Sequence, residues 1–189
     1  MPTVVYLPVS ETMFSRRFNI GDVSRKETVQ AFRAHVPEKA LAAFDKGVQA
    51  LSAGSYPEAE VTFKSAIDPD TDSSAIIAYL AAVFAAVGNA QQAAGAWQTS
   101  LIDGSDLPQV YDWLAGSLLR TRDLSTARSM LEEAVSRWPS DSRFARPMAL
   151  VYATLGQGLE AMRALERHLA DHKDDVDSLF MGVEWLYQL

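Results

Sequence analysis

The chain has 189 residues, 48% hydrophobic and 22% charged, as expected of a soluble globular protein, and no run of the roughly 18 to 20 apolar residues needed to cross a bilayer. The absence of cysteine excludes disulfides, thiol catalysis and cysteine-based metal sites. Residues 1–39 carry six Lys/Arg against four Asp/Glu and residues 40–189 eleven against twenty, so the net charge of −7 lies in an acidic body, a poor match for nucleic acid.

The opening "MPTVVYLPVSETMF" has neither a basic leader nor a small-residue cleavage site, so no signal peptide is expected in this chain. The compartment stays open between the cytoplasm and, if the chain belongs to a longer exported protein, the periplasm. "TVVYL" fits a short strand or an extended arm. Ser24 followed by Glu27 has the spacing of a capping box and predicts a helix of about two to three turns. His35-Val36-Pro37 ends it, and Pro37 suits the first turn of the next helix. Residues 1–39 therefore read as an N-terminal arm and capping helix, the alternative being the remnant of a preceding domain. Arg16, Arg17, Arg25 and Lys26 are placed to lie against the acidic body.

From residue 40 a pattern recurs every 34 residues. Ala59 and Phe63 are followed at that interval by Ala93 and Trp97, Ala127 and Leu131, then Ala161 and Leu165. Gly54 is matched by Gly88 and Gly156, with Arg122 in the remaining slot, and Ala66 by Ser100, Ala134 and His168. In 108–141, Tyr111, Leu114, Ala115 and Leu118 form a stripe at i, i+3, i+4, i+7 on a first helix. Ala127, Leu131 and Ala134 form one on a second helix. A small residue there lets two helix axes approach, and the large residue four positions on fills the hollow. Pro139 ends the second helix.

These residues resemble the tetratricopeptide repeat family over 40–189, with units 40–73, 74–107, 108–141 and 142–175 and a terminal helix at 176–189. The resemblance implies an all-α fold, an α-solenoid (superhelix) of stacked antiparallel helix pairs, with an N-terminal cap helix and a partly extended arm. The sequence departs from the pattern at Lys46, in a slot usually held by a core leucine. Pro147 should delay or kink its helix, and His168 stands where the residue is normally small.

No catalytic motif is present, and no enzyme, cofactor or metal is expected. Asp68, Asp70 and Asp72 imitate the start of a calcium loop, but Ser73 and Tyr79 occupy the slots that need glycine and glutamate, so an acidic turn is expected. His168 and His172 share a helix face, and the packing slot of His168 favours a core-edge histidine.

In the family, ligand contacts come from the first helices. Carried over, the resemblance implies a concave peptide-binding surface that includes Phe44, Tyr79, Asp112, Trp113, Arg120, Arg143, Arg146 and Phe180. The family's carboxylate clamp is not supported, since Phe44, Val48 and Tyr79 replace its Lys and Asn. The expected guest is an extended or helical segment with apolar anchors and an acidic residue near Trp113, met by Arg120, Arg143 and Arg146. The alternative is that the alanines only permit close packing and the arginines pair with Asp112 or Asp177. The function expected is a non-catalytic interaction scaffold for an unidentified protein or peptide, without nucleic-acid binding or membrane insertion. The runner-up is a structural or regulatory segment of a larger protein, packing on a neighbouring domain or forming a homo-oligomer through the terminal helix.

Overall fold

A computed structural model of the protein describes residues 4–14 and 18–188. Among these are twelve α-helices: α1 Glu11–Phe14, α2 Ile20–Val23, α3 Lys26–Arg33, α4 Leu41–Ser52, α5 Tyr56–Ala66, α6 Ser74–Ala86, α7 Ala90–Ile102, α8 Pro108–Thr121, α9 Leu124–Arg137, α10 Ala145–Thr154, α11 Gly158–Asp171 and α12 Val176–Leu186. Short 3-10 turns, Glu38–Ala40 and Ser142–Phe144, lead into α4 and α10. Residues 4–10 have no regular secondary structure apart from an isolated bridge of Val5 with Gln157, the sole β pairing among the described residues. The fold is all-α, of the α-solenoid class, made of consecutive helix pairs.

The chain divides into two compact units, one of Arg17–Thr121 and one of Met1–Arg16 with Arg122–Leu189. In the first, α4 packs on α5, α5 on α6, α6 on α7 and α7 on α8. In the second, α9 lies beside α10, α10 on α11 and α11 on α12. The repeat residues are the core: Ala59, Phe63, Ala93, Trp97, Ala127, Leu131, Ala161 and Leu165 are fully buried.

The turns between helices follow from the same 34-residue register. Gly54, Gly88 and Gly156 have φ of 77°, 87° and 75°, the left-handed conformation that closes a helix. After each, the chain makes the paired bonds of a Schellman end, as in Gly54 N–H to Leu51 O (3.0 Å) and Ser55 N–H to Ala50 O (2.8 Å). Arg122, in the third slot, keeps the left-handed φ at 62°, although a side chain makes that conformation costly by about 1 kcal/mol. Two of the following helices are capped in register too, Asn89 accepting from Gln92 N–H and Asp123 from Thr126 N–H, while Ser55 and Gln157 make no such side-chain bond.

Two expectations need adjustment, and that for Pro147 is met in the first of its two forms. Ser24 does not cap α3; its own N–H bonds Ile20 O to close α2, its hydroxyl meets that of Ser52 at 2.9 Å, and Arg25 stands at the N-cap of α3 with no side-chain cap. A second short helix, α2, had used the serine first. Pro147 delays rather than kinks its helix: a 3-10 turn precedes α10, and the proline falls in the first turn, where no intrahelical N–H is needed. Arg25 pairs locally with Asp22 at 2.8 Å rather than with the acidic body, while Arg16 and Arg17 lie outside the described residues. Lys46 turns its exposed ammonium toward Glu58 at 3.4 Å.

The close approach within a pair is most constrained at Gly47, where an added Cβ would stand 2.5 Å from the Phe63 ring. Gly47→Ala is expected to destabilise the protein by about 1–3 kcal/mol, with Phe63→Leu partly restoring it. Gly95 meets nothing within 4 Å, and Gly95→Ala in the interior of exposed helix should stabilise by about 0.5–1 kcal/mol. Urea unfolding of the two variants checks the contrast.

Candidate functional site

In the Arg17–Thr121 unit the first helices of successive pairs are α4, α6 and α8, and their aromatic side chains converge. Phe44, Tyr79 and Trp113 lie one period apart or nearly so and are all buried. Phe44 packs edge-on to Tyr79 with centroids 4.9 Å apart. What covers these rings is the segment that precedes the repeat. Phe32 of α3 stacks on Trp113 at 5.2 Å and 11°, and meets Tyr79 edge-on at 5.1 Å. Phe18 lies 5.5 Å from Trp97 and 6.1 Å from Trp113. The Tyr79 hydroxyl donates to Val23 O at 2.9 Å, and burial raises its pKa well above the ordinary phenol value. A phenol that satisfies a backbone carbonyl inside an aromatic cluster is fixed in place, since an unpaired hydroxyl there is costly.

In the other unit the cover is the arm, residues 4–14. Val5 N–H donates to Gly156 O at 2.9 Å, and the Trp185 indole N–H of α12 donates to Pro8 O at 2.7 Å. Leu7 and Phe14 are each 4% exposed, so they anchor the segment. Gly156 permits the close pass: a Cβ there would fall 2.6 Å from Val4 and 3.1 Å from Tyr6. The Arg122 guanidinium lies 3.5 Å from the centre of the Phe14 ring and pairs with Glu11. That contact accounts for an arginine where the register wants glycine.

Of the residues singled out from the sequence, Phe44, Tyr79, Asp112, Trp113 and Arg120 belong to the first unit and Arg143, Arg146 and Phe180 to the second. Phe44, Tyr79 and Trp113 come together under Phe32; Asp112 is half-buried, and Arg120 donates weakly to Gly88 O at 3.4 Å. Arg143 is held by the Asp141 carboxylate at 2.8 Å, and Arg146 Nε donates to Ser178 Oγ at 3.1 Å. Phe180 is 73% exposed on α12. Phe18, Phe32 and Arg122 were not singled out. The spacing of Val29, Phe32 and Val36 is an apolar helix face, and that pattern alone could have flagged the contact.

The fourth unit's histidine ends in a polar network. His168 Nε2 lies 2.8 Å from Asp175 Oδ2, which also accepts from Ser178 Oγ at 2.8 Å. His168 Nδ1 is buried without a hydrogen-bond partner among the described residues. Burial lowers the His168 pKa, outweighing the pull of Asp175, so the ring is neutral and Nε2–H donates. Burial pushes the Asp175 carboxyl up, but hydrogen bonds from His168 and Ser178 outweigh it and hold the pKa at about 2. No cluster of the described residues has a metal-ligand arrangement.

The sign of the pH effect follows. Because the folded His168 binds its proton less readily than the unfolded one, its contribution is fully present above an unfolded value of about 6.5 and is lost as pH falls below it. Urea midpoints should therefore drop between about pH 7 and pH 5. His168→Ala, the residue type of the equivalent slots 66 and 134, should flatten that drop.

No protein-family profile and no curated protein matches this sequence. Solved structures do match its fold. The crystal structure of MamA protein aligns with a TM-score of 0.72 at 14% identity, covering 80% of this chain and 82% of that one. A MamA fragment from Desulfovibrio magneticus RS-1 gives 0.69 at 19% identity over 78% and 86%. At such identities the likeness is one of fold: a solenoid of consecutive helix pairs.

Proposed function

We propose that this chain is a non-catalytic protein-interaction module of the tetratricopeptide repeat family, whose first helices receive a protein or peptide segment with apolar anchors. The observation that supports it most is that a segment of that chemistry is already seated in each unit, supplied by the chain itself. Residues 4–14 have the properties expected of a guest: a non-helical stretch leading into the single turn of α1, Leu7 and Phe14 as anchors, and one carboxylate, Glu11, on an arginine. The arginine is Arg122, not Arg120, Arg143 or Arg146.

The two resident segments differ in how they are held. Phe32 is fully buried in stacked aromatic contacts, so Phe44, Tyr79 and Trp113 act in this reading as the seat of a built-in cover. The arm leaves Val4 and Tyr6 at 61% and 71% exposure and relies on two buried side chains, one backbone donor at Val5 and one backbone acceptor at Pro8. The arm is therefore the segment a partner displaces, and the surface it vacates, from Gly156 to Trp185 with Arg122, is the binding site.

A second reading is favoured by the exposed apolar side of α12: a structural or regulatory repeat segment that packs on a neighbouring domain or a second copy. Sedimentation in which mass rises with concentration, and ceases to rise on deleting 176–189, selects it.

For the first reading the probe is a labelled peptide with the sequence of residues 4–14. It should bind the full chain weakly, and bind a Leu7→Asp, Phe14→Asp variant at least about ten-fold more tightly, because the resident arm no longer competes. Trp185→Phe, which removes the donor to Pro8 O, should weaken binding to that variant. Failure of the peptide to bind the double variant rules the reading out.

A further inference from the structure

In four successive periods the same position on the first helix is small and buried: Gly47, Ala81, Ala115 and Ala149. At Gly47 the hollow is needed because a large residue of the second helix, Phe63, fills the space over it. The equivalent residue of α12 is Val183, and it is 54% exposed. A β-branched side chain here fills the hollow instead of offering it.

Val183 is the centre of a continuous face. Val176, Leu179, Phe180, Leu186 and Tyr187 flank it at helical spacing, with exposures from 43% to 86%. The opposite side of α12, with Met181 and Trp185, is buried in its own unit. A stripe this long with no polar break is not an ordinary solvent surface. Its charge is one-sided: Asp177 and Glu184, two turns apart, line the edge beside Phe180, and α12 contains no Lys or Arg.

We propose that this face docks an amphipathic helix of another polypeptide, one with a small residue opposite Val183, large apolar residues on either side of it, and Lys or Arg along the edge that meets Asp177 and Glu184. Val183 exchanges knob and hole relative to the other pairs, so the incoming helix must supply the hollow. The acidic edge selects a basic one. It also disfavours a second copy: antiparallel docking about a two-fold axis places both acidic edges on the same side, bringing like charges together in a partly dry contact. The inference does not depend on displacement of the arm, whose site lies on the buried side of α12 at Trp185.

The probe is a synthetic amphipathic helix of roughly 18 residues, five turns, with a leucine face, alanine at its centre and lysines seven apart on one edge, paired with a counterpart carrying Glu for Lys. Fluorescence anisotropy against the full chain should show the lysine peptide binding at least about ten-fold more tightly than the glutamate one, with the difference shrinking as salt is raised. Asp177→Asn with Glu184→Gln should remove the preference, and Val183→Asp or Phe180→Ser should abolish binding. All four sites are exposed, so melting temperatures should stay near the native value. Equal binding of the two peptides, no binding of either, or binding that survives Val183→Asp overturns the proposal. So does a concentration-dependent doubling of mass that Val183→Asp reverses, since the occupant would then be a second copy.

Discussion

The whole structure depends on a steric match between a residue with almost no side chain on one helix and a large one on the next. Gly47 under Phe63 is its sharpest instance, because there is no room even for a methyl group. Ala81 and Ala149 hold the same place in the pairs whose large residues are Trp97 and Leu165, all buried. Close packing yields dense dispersion contacts, but it also fixes register, because sliding by one residue would set a large side chain on a large one. A short turn with a left-handed residue then returns the chain so that the match can form. The periodic sequence is thus a periodic solution to one packing problem.

Where the pattern breaks, something else takes up the cost. Arg122 adopts a backbone conformation suited to glycine, and its guanidinium lies on the Phe14 ring and beside Glu11. Glu11 is 90% exposed, so the ion pair itself contributes little, and the planar contact with the ring is the stronger term. His168 replaces a small residue and fits because Asp175 takes its Nε2 proton in a hydrogen bond while Ser178 and Arg146 complete the chain of contacts. Both exceptions belong to the unit that contains the arm.

Much of this was legible in the residues. The 34-residue register located the second-helix cores, the left-handed turns and the delay at Pro147, because each is a local consequence of side-chain size or backbone freedom. The capping box at Ser24 misled, since the same four residues also suit the end of a preceding helix and local spacing does not rank the two. The arm's path was hidden for a different reason. Its contacts join residues separated by more than a hundred positions, such as Pro8 and Trp185, and no periodicity links them.

The cover on the first-helix face, by contrast, was written in α6 itself. A helix that lines an open groove has to offer water one polar side, yet from Ser74 to Ala86 there is no charged residue, and every position from Ser74 to Val83 is buried. A helix apolar all round must be enclosed all round. The second helices α5 and α7 account for its flanks, which leaves the first-helix side to be closed by some other part of the chain. Phe32 and the carbonyl of Val23 close it. Apolar character confined to one side of a repeat helix therefore marks a surface that needs only its neighbours; apolar character on both sides marks one that needs a further cover. By the same reasoning α12, apolar on its buried side and along an exposed stripe as well, is a helix whose second occupant has still to be supplied.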